Sequence, residues 1–138
     1  MIKKVLPVIA VLAIAFLIYV CAFKPGKTFG CNIVPIESEV YTQEDYRQAC
    51  SVVFRDFKGF RGCTMTEIRY AGDDQLDDMK EWAKEYDADE AIILESDFTT
   101  DEKGGDGSFE PNNTYTNWTW ILVRDKNGRW KHKDHGYA

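Results

Sequence analysis

Basic residues are in the minority in this 138-residue chain: Lys and Arg supply 17 charges against 23 from Asp and Glu. The shortage deepens along the sequence. Residues 1–30 hold Lys3, Lys4, Lys24 and Lys27 and no acid, so 31–138 hold 13 basic and 23 acidic groups, net −10. A domain of that sign is repelled by a phosphate backbone, which argues against nucleic acid as a partner. Histidine occurs twice and cysteine four times, with no CxxC pair and no Cys/His ligand spacing, so no zinc site is expected and no cofactor is implied. The chain also lacks any internal repeat of 20–50 residues, which excludes solenoids and propellers. What is present suffices for one packed domain: 44% hydrophobic and 14% aromatic residues.

The longest uncharged stretch runs from Val5 to Phe23, 19 residues behind Lys3 and Lys4. As a helix it would be about 28 Å long, close to a bilayer's ~30 Å hydrocarbon core. A cleavable signal has a shorter apolar centre and small residues at the cut, and here the run ends Tyr19-Val20-Cys21-Ala22-Phe23. The expectation is an uncleaved signal anchor over residues 1–24 that engages the membrane through 5–23 and leaves the rest outside. Two alternatives stay open. Ile18-Tyr19-Val20-Cys21 is similar to a lipoprotein box with Cys21 as the lipidated residue, although Val20 stands where a small residue is expected. A cleaved secretory signal is the other. Residues 25–41, with Pro25, Gly26, Gly30 and Pro35, read as a linker. In an oxidising compartment Cys31, Cys50 and Cys63 allow one pair and one leftover thiol, with three connectivities. Cys50 also suits an apolar helix stripe, where a free thiol acts as a small hydrophobe.

The domain follows at 42–138. Thr42 is an N-cap with Glu44 and Asp45 in the first turn, and Tyr46, Ala49, Cys50, Val53, Phe54 and Phe57 recur at helical spacing until Gly59 and Gly62. Residues 63–71 alternate, with Thr64, Thr66, Ile68 and Tyr70 on one side and Met65, Glu67 and Arg69 on the other. Leu76, Met79, Trp82, Ala83 and Tyr86 mark a second helix. A strand is expected at 90–100, a polar loop at 101–114, a strongly β-forming aromatic strand at 115–124 and a last strand at 129–134 after an Asn127-Gly128 turn. The fold class that results is α+β: a curved, mostly antiparallel sheet of about four strands with two helices packed on one face, preceded by an N-terminal transmembrane or signal helix.

The segments FxGFxGCTxTEIxYAGD (57–73), EWAxxYDADEAIIL (81–94), GGDGSFEPNxTYxxWxWILVR (104–124) and GxWKHxDHGY (128–137) resemble a family of small exported proteins of anaerobic Gram-positive bacteria that has no assigned activity. The arrangement is similar to cystatin-like and nuclear-transport-factor-2-like folds. That resemblance implies a helix across a curved sheet, with room for a cone-shaped pocket between them. Such folds host isomerases, dehydratases and binding modules alike, so fold alone names no function.

Several constellations have both a functional and a plain structural explanation. Tyr115, Trp118, Trp120 and Trp130 suit the walls of a ligand pocket, or simply fill the core. His132 pairs with a carboxylate as a base, or ligates a metal with Asp134 and His135; against this, a three-residue step on a strand points the rings apart. Asp97 beside Phe98 is a second candidate base, with a raised pKa, unless its strand side faces water. The loop 101–113 fails as an EF-hand, with Lys103, Gly105 and Asp106 at the wrong positions. Residues 73–110 carry net −12 and 124–133 carry net +4, a polarity that steers a partner or a second copy, or serves solubility. The expected function is binding of an envelope protein or a small-molecule ligand. The alternatives are an isomerase- or dehydratase-like enzyme and a self-associating lipoprotein scaffold.

Overall fold

In the computed structural model residues 2–137 are described, with side chains from Pro7 onward. The elements are α1 (Ile2–Phe23), β1 (Asn32–Ile33), α2 (Gln43–Phe57), β2 (Cys63–Tyr70), a 3-10 turn (Asp73–Gln75), α3 (Leu76–Glu85), β3 (Glu90–Thr100), β4 (Thr114–Arg124) and β5 (Lys131–Tyr137). The protein is α+β, with a mixed five-stranded sheet in the order β1-β2-β3-β4-β5. Only the β1–β2 pair is parallel.

Thr42 caps α2 as its side chain predicts: Oγ1 accepts from Asp45 N–H at 3.1 Å and Asp45 accepts from Thr42 N–H at 2.9 Å, a capping box. The buried stripe of α2 is Tyr46, Ala49, Cys50, Val53 and Phe57. It lies on Met65, Ile68, Leu94, Phe98, Trp120 and Leu122, all buried. The space in which a cone-shaped pocket was expected is therefore filled by side chains.

The sheet differs from the alternation read in the sequence because each antiparallel pairing shifts register, with the extra residue in β2, β4 and β5. In β2 the register shifts between Met65 and Glu67, with Thr66 the extra residue. Cys63, Met65 and Ile68 thus face the core, while Thr64, Glu67 and Arg69 face the reverse side. The two amphipathic helices are also not on one face. Trp82 of α3 borders a cleft with Ile93, Thr119 and Ile121, residues of the sheet side opposite to Leu94, Trp120 and α2. The sheet carries apolar residues on both sides at its β3–β4 centre, where Ala91, Ile93, Ile121 and Val123 are buried on the reverse face. One helix on each face covers them.

Segment 25–41 is laid along the domain rather than held off it. Gly26 N–H donates to Lys58 O at 3.0 Å, Lys27 bridges Thr64, Val34 N–H donates to Ile68 O at 3.0 Å, and Tyr41 is buried. Gly26 permits this close passage, since a Cβ there would stand 1.9 Å from Phe57 O. The last strand begins at Lys131, not Arg129, and continues to Tyr137.

In α1 the side chains from Val8 to Ile18 that are apolar and large stand 56–65% exposed. The C-terminal end of α1 is tied to the domain by Arg61, whose Nε donates to Phe23 O at 2.8 Å. Among the described residues no helix is long and apolar enough to cross a membrane. The N-terminal transmembrane helix expected from the sequence is therefore not supported by α1.

Candidate functional site

The last turn of α2 presents Asp56 toward the edge strand β5. Strand pairing sets His132 opposite Leu122 and His135 opposite Trp120, with a register shift between Ile121 and Leu122 that leaves Lys133 as the extra residue. In a regular strand residues three apart face opposite sides. The bulge at Lys133 puts both rings on the α2 side, centroids 5.1 Å apart. The expectation that the two histidines diverge is thereby corrected.

These side chains form a line. His132 Nδ1 lies 3.0 Å from Asp56 Oδ2, and His135 Nδ1 lies 3.1 Å from His132 Nε2. The Arg55 guanidinium holds the Asp56 carboxyl below its ordinary range against its partial burial, and the His132 bond adds to this. A carboxylate accepts only, so His132 donates to it from Nδ1, and in the neutral tautomer its Nε2 accepts from His135 Nδ1–H. The His135 Nε2 lone pair is then free. Packing of the His135 ring against Phe60, Trp118 and Trp120 lowers its pKa, and His132 beside it acts in the same direction. His135 is therefore neutral at pH 7 and able to accept a proton. It borders an open cleft of about 370 Å³ with Asp56, Phe60, Arg61, Ser108 and Phe109.

The aromatic candidates divide. Trp120 is 0% exposed and donates from Nε1 to Ser96 Oγ at 2.8 Å. Trp130 is 3% exposed, donates to Asp45 O at 3.1 Å and lies under the Arg124 guanidinium at 4.1 Å. Both are core residues. Tyr115 stacks on Phe98 at 5.1 Å, and Trp118 meets Phe60, Phe98 and Phe109 edge-on. Tyr115 and Trp118 thus stand behind Phe60 and Phe109, which border the cleft. Trp118 Nε1 is buried with no hydrogen-bond partner among the described residues.

Asp97 belongs to the reverse face. Its Oδ1 accepts from Arg69 Nη2 at 3.1 Å and from Asn117 N–H at 3.0 Å. Burial alone would raise its pKa, but the guanidinium and the amide outweigh burial and hold it below the ordinary value. The raised-pKa base expected at Asp97 is thus an ionised structural carboxylate. Cys21 is exposed on α1 and borders a second cleft, of about 510 Å³, with Lys24, Gly62, Cys63, Asp101 and Glu102.

Among the described residues no group of three or more His, Cys, Asp or Glu side chains is gathered as a metal ion would require. Asp56 and Phe60 escaped the sequence reading. Asp56 is one of many helix carboxylates, and only its position 76 residues before His132 in sequence yet 3.0 Å away in space marks it. Comparison with known proteins identifies no relative: no family model, no curated protein and no solved structure matches this chain.

Proposed function

We propose that this protein is a membrane-anchored domain of the extracytoplasmic side that works as a binding module, with α1 as its anchor. The observation that carries the reading is α1 itself. It is a 22-residue helix without an acid, and its large apolar side chains from Val8 to Ile18 find no partner in the domain. A helix apolar all round and bare in water is unstable unless something apolar surrounds it. Lys3 and Lys4 before the run favour an N-terminus on the cytoplasmic side. Binding rather than chemistry is supported by the filled core and by Phe29, 98% exposed beside the short edge strand β1, with Ile33 46% exposed next to it. An envelope protein or a small apolar ligand would cover such residues. Resistance of the full chain to extraction from membranes by alkaline carbonate, with its domain cleaved by protease added outside, is the expected result. Release by carbonate overturns the anchor, and a lipid on Cys21 found by mass spectrometry replaces it with a lipoprotein.

One observation favours a second reading, an acid–base enzyme: the Asp56–His132–His135 line ends at a cleft. Its test is hydrolysis of p-nitrophenyl acetate, a probe that reports an accessible basic imidazole. Saturable turnover lost in His135→Gln supports it. A rate no greater than that of free imidazole overturns it.

A further inference from the structure

We infer that the groove between α3 and β5, on the side of the sheet away from α2, binds a small organic ammonium ion with an apolar body. The groove has a volume of about 250 Å³. Its floor is Ile93, Thr119 and Ile121 from the centre of the sheet. One wall is Trp82 of α3, with Asp78 one helical turn before it. The opposite rim is β5, and the register explains what it presents. Asp134 pairs with Ile121 and Gly136 with Thr119, so both share the reverse face with the floor, while the His132 and His135 rings lie on the α2 side. Gly136 carries no side chain, which leaves the groove open at the sheet edge.

Charge selects the ligand. Asp78, Glu95 and Asp134 border the groove from α3, β3 and β5, and among the described residues no lysine or arginine borders it. Glu95 is partly matched by Arg69 Nε at 3.5 Å, and Asp134 Oδ1 accepts from His135 N–H at 2.8 Å. Asp78 stands exposed at the mouth. The aromatic wall favours the same sign of charge. Trp82 stacks on Tyr86 with ring centroids 6.0 Å apart, and the Lys133 ammonium stands 5.9 Å over the Tyr86 ring. An indole attracts a cation more strongly than a phenol does, and among the described residues no cation stands over Trp82.

An anion in this groove is repelled by the carboxylates, and a neutral apolar molecule takes water from them without a counter-charge. An ammonium on a short hydrocarbon body avoids both costs. Its apolar part covers Ile93 and Ile121, and its N–H groups donate to the carboxylates at the rim. The volume lies below the roughly 300–1,000 Å³ of sites for drug-sized ligands, which suits a small amine rather than a length of peptide.

The inference rests on the reading of this protein as a binding module and supplies the chemistry of a ligand, but it does not need the anchor. The full chain, isotope-labelled in uncharged detergent, is titrated with benzylammonium and, separately, with benzyl alcohol and benzoate while its NMR spectrum is followed. Saturable shifts centred on the Trp82 indole, Thr119, Ile121 and Gly136 are expected with the amine, with binding about tenfold weaker for the alcohol and none for benzoate. Asp78→Asn, at an exposed position, should weaken the amine about fivefold and leave the alcohol unchanged. Equal affinity for amine and alcohol, shifts scattered over the surface, or no binding overturns the inference and leaves a binding module with another ligand. Tighter binding of tetralysine than of benzylammonium at the same residues assigns the groove to a protein's basic side chain and overturns the small ligand. Shifts at the groove in a chain that carbonate releases from membranes uphold the site and refute the anchor.

Discussion

Arg69 is expected to be the most sensitive charged residue of the domain, and replacing it with Met isolates the reason. Its guanidinium meets Glu67 at 2.9 Å, Glu95 at 3.5 Å and Asp97 at 3.1 Å, and it also donates to the Asn117 side chain. The ion pairs are neither open nor sealed: the Arg69 side chain is 20% exposed and the carboxylates are 34%, 32% and 23% exposed. Exposed pairs are worth about 0–1 kcal/mol, and removing one partner of a buried pair costs about 3–5 kcal/mol. A loss of about 2–3 kcal/mol at pH 7 lies between these limits. Methionine keeps the aliphatic stem over the sheet, so the loss is electrostatic, from three carboxylates left facing one another. The pH dependence follows from Asp97. Its folded pKa is depressed, so its contribution is present above the unfolded value of about 3.9 and is lost as pH falls through the lower folded value. In Arg69→Met the guanidinium's share of that depression is gone, the Asn117 amide's remains, and protonation relieves the repulsion. Urea denaturation of both proteins at pH 7 and pH 3.5 should show a gap that shrinks by more than half at the lower pH. A gap that is equal at both pH values would mean that packing, not charge, is what Arg69 supplies, and the reasoning fails.

Ser96→Ala should cost about 1–3 kcal/mol, because Trp120 Nε1 is left buried and unpaired; chemical denaturation followed by tryptophan fluorescence measures it. Gly26→Ala should destabilise the docked segment, since its Cβ would meet Phe57 O at 1.9 Å, and faster amide exchange at Lys27 and Val34 is the readout. In an NMR titration His135 should be less than half protonated at pH 6.5, where a free imidazole is half protonated. Because its folded pKa is lowered, its neutral form favours folding at higher pH, and that contribution falls away as pH drops below 6.5. Protonation of half or more of His135 at pH 6.5 would contradict the arrangement around it.

Local signals were enough for the elements. Thr42 and the stripe from Tyr46 to Phe57 located α2, because a cap and a 3.6-residue period act within a few residues of chain. The strand expected at 90–100 is β3, Glu90–Thr100, since β-branched and apolar residues between polar turns leave little choice. The aromatic strand begins one residue earlier than expected, at Thr114. Charge and composition also located the most apolar segment, at α1.

The site was a different matter. His132 was a candidate base needing a carboxylate, but nothing near it in sequence named Asp56, and the regular alternation of a strand argued against His135 joining them. The bulge at Lys133 reversed that, and a bulge is fixed by which residues of β4 pair with which of β5, not by the residues of β5 alone. Likewise the two helix stripes were legible, but the sheet faces they cover were not, because a stripe states that a face is buried and not what buries it. The acidic character of the domain, its helical and strand segments and its apolar first helix follow from the order of residues. The joining of Asp56, His132 and His135 and the burial of Trp120 and Trp130 depend on contacts between distant parts of the chain, which only folding brings within a few ångströms.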